Sequence, residues 1–211
     1  MKINEIFKSI QGETTFQGLL SVFIRTSGCN LRCNWCDTTY AYYDGADYTV
    51  DEILKIVEKN QCKYVVITGG EPLQQIDTTI LVGQLINNSY TVLVETNGSQ
   101  DISGLHPEAI RIMDIKCPSS GMSDKMLWGN IDYLSPHDEV KFIIADYEDY
   151  VWTKSVIESY KLTSICTVLT SPVFGRLDLR VLSEWIIKDN LPVRLQLQLH
   201  KYIWGPNVRG V

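Results

Sequence analysis

The 211 residues carry a net charge of −6 and a 45% hydrophobic fraction, enough for one domain (1–211) with a sizeable core and little room for a second. No run approaches the roughly 18 apolar residues of a membrane span, and the N-terminus lacks the apolar stretch of a secretion signal, so a cytoplasmic protein is expected. The acidic balance disfavours gripping a phosphate backbone, which needs clustered Lys and Arg, and favours a small-molecule substrate over nucleic acid.

Along the chain, short β-branched runs alternate with segments of helical period. Strands are expected at residues 21–26, 64–68, 91–95, 111–116, 140–145, 165–170 and 193–199. Several are near-continuous apolar runs, as in parallel strands covered on both faces. Thr49 and Glu52 read as a capping box opening a helix to about residue 59, with Ile53, Ile56 and Val57 on one side. Further helices are expected at 76–87, 149–160 and 177–189; the stripe Leu179, Leu182, Trp185 and Ile186 reads as a core face. This βαβα order predicts an α/β fold: a partial, open TIM-like barrel of about six parallel strands with helical crossovers. Ligands of such sheets collect at the carboxyl ends of the strands. Residues 117–132 are the most loop-like stretch.

Of six cysteines, Cys29, Cys33 and Cys36 lie within eight residues, directly after the first expected strand. Clustering in a chain without an export signal points to metal rather than disulfides. Three thiolates on one short loop can hold a [4Fe-4S] cluster, and with no fourth cysteine nearby one iron is left open for chemistry. A structural zinc site needs a fourth ligand, and the candidates His106, His137 and His200 are distant in sequence. Cys62, Cys117 and Cys166 read as buried thiols. After the second expected strand comes Thr68-Gly69-Gly70-Glu71-Pro72. Two glycines there permit close backbone approach, and the carboxylate can accept from an ammonium group; a plain strand-to-helix turn has the same composition.

The C-x3-C-x2-C spacing with Trp35 before the last cysteine resembles the radical S-adenosylmethionine (SAM) superfamily signature. That resemblance implies a [4Fe-4S] cluster whose open iron is chelated by SAM, Trp35 beside the adenine, and reductive cleavage to a deoxyadenosyl radical. Gly69, Gly70 and Glu71 resemble the motif that binds the SAM amino group. Further stretches resemble the 7-carboxy-7-deazaguanine synthases, the radical SAM family of queuosine and 7-deazapurine biosynthesis. They are Gln11-Gly12-Glu13, Arg25, Cys36-Asp37-Thr38, residues 65–72, residues 94–98 and residues 200–205.

The family resemblance implies conversion of 6-carboxy-5,6,7,8-tetrahydropterin to 7-carboxy-7-deazaguanine with loss of ammonia, with SAM regenerated and Mg²⁺ assisting. It implies pterin contacts from Ile10, Gln11, Gly12, Glu13, Arg25, Thr68 and His200, and Mg²⁺ on Thr38. It implies SAM contacts from Trp35, Cys36, Asp37, Gly69, Gly70 and Glu71. Asp114, Ile115 and Lys116, standing where some members have Ser-Pro-Lys, and Ser171, Pro172, Val173 and Phe174 complete the SAM set. Glu95 and Asn97 follow the third expected strand and could line the same mouth. A flavodoxin- or ferredoxin-type electron donor and a homodimer are also implied. Taken without the family, Gln11–Glu13 could be a surface turn, Arg25 a salt-bridge partner at a strand end, and His200 a capping residue. A glycyl-radical-enzyme activase would share the cysteine spacing but should lack Gln11-Gly12-Glu13. A non-catalytic iron–sulfur or zinc protein would not cleave SAM.

Overall fold

The computed structural model describes residues 1–211. Six of the expected apolar runs become the strands β2 (Leu20–Thr26), β4 (Tyr64–Gly69), β5 (Thr91–Thr96), β6 (Ile110–Ile115), β7 (Glu139–Ile144) and β8 (Thr167–Pro172). All six pair in parallel, in that order. A two-residue strand, β9 (Arg194–Leu195), adds in parallel to β8. On the other side β1 (Lys2–Ile10) pairs antiparallel with β2, and the short β3 (Ala46–Asp47) closes that edge against β1. The sheet is therefore open, with β3 and β9 as its margins.

Two expectations need correction here. Strand β1 is not evident from period-two alternation because a bulge between Ile3 and Glu5 shifts its register, putting Asn4 and Glu5 where one polar residue would stand. The last expected strand, residues 193–199, pairs only at Arg194 and Leu195; the chain then turns into helix α5 (Leu199–Ile203). A margin strand has a partner on one side only, so the alternation of residues 193–199 does not by itself sustain a ladder.

Helices α1 (Val50–Asn60), α2 (Asp77–Asn87), α3 (Tyr147–Tyr160) and α4 (Leu179–Lys188) carry four of the crossovers. The capping box of α1 is present: Thr49 accepts from the Glu52 backbone N–H while the Glu52 carboxylate accepts from that of Thr49. The β5–β6 crossover is not helical, and the β6–β7 crossover uses 3-10 turns only. Gly98, Gly104 and Pro107 punctuate the first, Pro118, Gly121 and Gly129 the second. Ile102 and Leu105, and Met126 and Ile131, are buried from these turns, filling the layer a helix would otherwise cover. No helix is long and apolar enough to cross a membrane.

Each central strand is buried on both faces. Val22, Ile24, Val65, Ile67, Val92 and Val94 pack outward toward α1 and α2. Their alternate neighbours Phe23, Val66 and Leu93 join Ile110 and Ile112 on the concave face. Two residues further along, that concave face turns polar: Arg25 after Phe23, Thr68 after Val66, Glu95 after Leu93, Asp114 after Ile112. Period-two alternation thus sets an apolar plug low in the half-barrel and a polar layer at the carboxyl ends.

Candidate active site

The polar layer floors a cavity of about 730 Å³. Its walls include residues 10–13 at the end of β1, the cysteine loop after β2, the glycine turn after β4, Val173 and Phe174 after β8, and Gln198, His200, Lys201 and residues 206–211 after β9. Across the floor, Arg25 pairs in register with Thr68, and Asp114 with Lys141. The Thr68 hydroxyl donates to Glu95 at 2.9 Å, and the Gln11 amide donates to the other oxygen of Glu95 at 3.3 Å. Lys141 Nζ lies 2.6 Å from Glu13 and 3.7 Å from Asp114, while Lys116 Nζ is 2.8 Å from Asp114. Carboxylates and ammonium groups therefore alternate from Glu13 toward the cysteine loop.

Glu13 is buried, and burial alone would raise its carboxyl. The Lys141 ammonium and the amide of Gln198, 2.9 Å away, outweigh that and hold it at about 2. Arg25 Nε donates to Glu5 at 2.7 Å, and Tyr40 donates to the same oxygen at 3.0 Å. Glu5 thereby fixes the guanidinium plane while its Nη groups remain for the cavity. His200 comes from α5, and burial holds its imidazole below the usual pKa, so it is neutral at pH 7. Gly12 is what admits it: a Cβ there would overlap His200 Nδ1.

All six cysteines are free thiols; Cys62, Cys117 and Cys166 are buried as expected, whereas Cys29, Cys33 and Cys36 line the cavity. The glycine turn packs directly on the cysteine loop. Gly70 N–H donates to Thr26 and Glu71 N–H to the Gly28 carbonyl, at 3.2 and 2.8 Å. A Cβ on Gly70 would overlap that carbonyl and stand 2.8 Å from Cys29 Cβ. Gly69 has φ +139, a value that side chains rarely adopt.

Comparison with known proteins agrees with this arrangement. A profile of the Radical SAM superfamily matches residues 23–114. The 7-carboxy-7-deazaguanine synthase of Chlorobaculum tepidum is 42% identical, covering 100% of this chain and 97% of its own. That of Clostridium acetobutylicum is 38% identical, covering 100% and 99%. The chain belongs to the 7-carboxy-7-deazaguanine synthase family. Among solved structures, QueE from Escherichia coli superposes with a TM-score of 0.77 at 22% identity, over 92% of this chain and 93% of that one. SuiB from Streptococcus suis, bound to its precursor peptide, gives a TM-score of 0.60 at 12% identity over 82% and 47%. At these identities the structures speak to the fold.

A 7-carboxy-7-deazaguanine synthase is a radical SAM enzyme, working with a [4Fe-4S] cluster and SAM. The site's donor set fits both. Three unpaired thiols line one cavity, and cysteine thiolates are the usual ligands of a [4Fe-4S] cluster. Asp114 lines the same cavity, and its Oδ1 is buried without a hydrogen-bond partner.

The structure gathers most of the expected site residues into the cavity wall. Ile10, Gln11, Gly12, Glu13, Arg25, Trp35, Asp37, Thr38, Thr68, Gly69, Gly70, Asp114, Lys116, Val173, Phe174 and His200 line it with the three cysteines. Four do not. Ile115 and Ser171 are buried within their strands and Pro172 closes β8, none of them on the cavity wall. Glu71 is fully buried, its carboxylate taken up by the Leu73 and Asn97 N–H groups and the Thr96 hydroxyl. Glu71 thus ties the end of β4 to that of β5. Lys141, Gln198 and Lys201 also line the cavity without having been singled out from the sequence, and the C-terminal residues 206–211 line it too. Lys141 sits inside an apolar run, and a charge at an inward strand position was its one available signal.

Proposed function

We propose that this enzyme converts 6-carboxy-5,6,7,8-tetrahydropterin to 7-carboxy-7-deazaguanine and ammonia, within one radical SAM domain over residues 1–211. The observation that carries the reading is the convergence of Gln11–Glu13, Arg25, Thr68 and His200 with the three cysteines and the glycine turn around one cavity. Cys29, Cys33 and Cys36 would hold the cluster, and Gly69, Gly70, Trp35 and Asp114 would line the SAM site. When bound, these cofactors would supply the radical chemistry that the ring contraction requires. Substrate and product differ by one NH₃, so the rearrangement is redox-neutral, which allows SAM to act as a regenerated cofactor.

The chain's own residues supply recognition. Glu13, held ionised, is an acceptor suited to the amino and ring N–H donors of the pterin edge. Arg25, its plane set by Glu5, presents its Nη groups to the substrate carboxylate. Neutral His200 can donate or accept at the opposite wall. Thr38 gives its hydroxyl proton to Asp37 at 2.9 Å, which turns the oxygen lone pairs outward. Mg²⁺, a hard cation that keeps several waters, would take that oxygen together with substrate oxygens. Lys201 pairs with Asp37 at 2.7 Å and keeps it ionised beside Thr38. We assign the enzyme to the cytoplasm, as a homodimer reduced by a flavodoxin- or ferredoxin-type donor.

The test is anaerobic reconstitution, reduction with dithionite, and incubation with SAM and 6-carboxytetrahydropterin with and without Mg²⁺. The expected result is 7-carboxy-7-deazaguanine and ammonia in equal amounts. Deoxyadenosine without the deazaguanine would overturn the substrate assignment.

A further inference from the structure

The loop that carries Gln11, Gly12 and Glu13 is held from two sides. On the concave face of β7, Glu139 accepts from the Thr15 backbone N–H at 3.0 Å and from the Thr15 hydroxyl. Two residues on along the same strand, Lys141 Nζ donates to Glu13 at 2.6 Å. Residues 139 and 141 of one strand thus grip residues 13 and 15 of the loop, a match dictated by period-two geometry. From the other side, Gln196 accepts from the Thr14 N–H at 2.8 Å and donates to Glu13 at 3.3 Å. Between the two grips Thr14 has φ +69, a left-handed conformation that a β-branched residue adopts only when its surroundings impose it.

Lys141 is the one cation in this grip. It is buried, and Glu13 and Asp114 keep its ammonium charged against the cost of burial. It spans the floor from Glu13 to Asp114, 3.7 Å away on its other side.

We infer that Lys141 is a positioning residue for substrate recognition: its ammonium locks Glu13 as an oriented carboxylate, so that the pterin edge meets a preformed acceptor. This rests on the assignment of Glu13 to the pterin edge. Lys141 touches Glu13, and its effect on the substrate passes through Glu13.

A double-mutant cycle on the reconstituted holoenzyme tests this, with Lys141→Met, Glu13→Gln and the pair. Lys141→Met is expected to raise KM for 6-carboxytetrahydropterin roughly 10- to 100-fold, the scale for removing one partner of a buried charge-assisted hydrogen bond. The change in kcat should be smaller, and iron content and SAM affinity should be unchanged. Lys141→Arg, which keeps the charge and serves if the Met variant folds poorly, should recover part of the KM. Binding of unreactive 6-carboxypterin, followed by fluorescence, should weaken in parallel. In the Glu13→Gln background, Lys141→Met should add little. A full multiplication of the two effects, or an unchanged KM in Lys141→Met while Glu13→Gln raises it, would overturn the inference alone. An unchanged KM in Glu13→Gln would overturn the pterin-edge assignment beneath it.

Discussion

Glu71→Gln separates two uses of the carboxylate in the glycine turn. If Glu71 binds the SAM amino group, the isosteric amide weakens SAM binding and leaves the cofactor-free protein as stable as before. The structure assigns it to bracing instead. One carboxylate oxygen accepts from Leu73 N–H at 3.0 Å and from Thr96 Oγ1 at 2.9 Å; the other accepts from Asn97 N–H at 2.6 Å. A glutamine can satisfy the first pair through its carbonyl, but its NH₂ then faces the Asn97 N–H, donor against donor. Losing that charge-assisted bond costs about 1.5–3 kcal/mol. Burial already pushes the Glu71 carboxyl up, so removing the charge offsets part of the loss. A net cost of about 2 kcal/mol follows. For a chain of this length it lowers Tm by about 4–8 °C. Thermal melts of the cofactor-free protein and SAM binding to the holoenzyme read the two outcomes. An unchanged Tm with weakened SAM binding would refute the bracing argument.

Gly70→Ala should fold but reconstitute with less than one cluster per chain, because the new Cβ strikes the Gly28 carbonyl and Cys29; iron and sulfide analysis checks this. Gly12→Ala should displace His200 and raise the pterin KM while iron content and SAM affinity stay as in the parent, which steady-state kinetics and binding titrations separate. The Glu13 carboxyl, held at about 2 against an ordinary 4.5, is depressed in the folded state. Its stabilisation is complete above pH 4.5 and is lost as pH falls toward 2, so Tm should fall more steeply over that window in the parent than in Glu13→Gln.

Much of this was legible from local pattern. Continuous apolar runs marked the six central parallel strands, since a strand covered on both faces has no polar side to show. The spacing of Cys29, Cys33 and Cys36 marked three thiols that would share one site, and all three line the same cavity. The capping box at Thr49 and Glu52 named its helix start to the residue. Strand β1 escaped because its bulge breaks the alternation, and β9 shrank because a margin strand depends on its single neighbour. His200 consequently reaches the site from a helix.

The sequence by itself determined the chemistry available: three thiols, a glycine turn, a set of acids and bases, and the strand ends that carry them. Only the tertiary structure decided which of those groups are free to act. Glu71 and Glu13 are both acids next to a glycine in motifs of similar look. Glu71 is fully buried and holds the backbone and hydroxyl of neighbouring strands; Glu13 is held by Lys141, 128 positions away in sequence, with Gln196 and Gln198, and lines the cavity. Whether a carboxylate ends inside the packing or on the cavity wall depends on distances between strands, which no local pattern encodes.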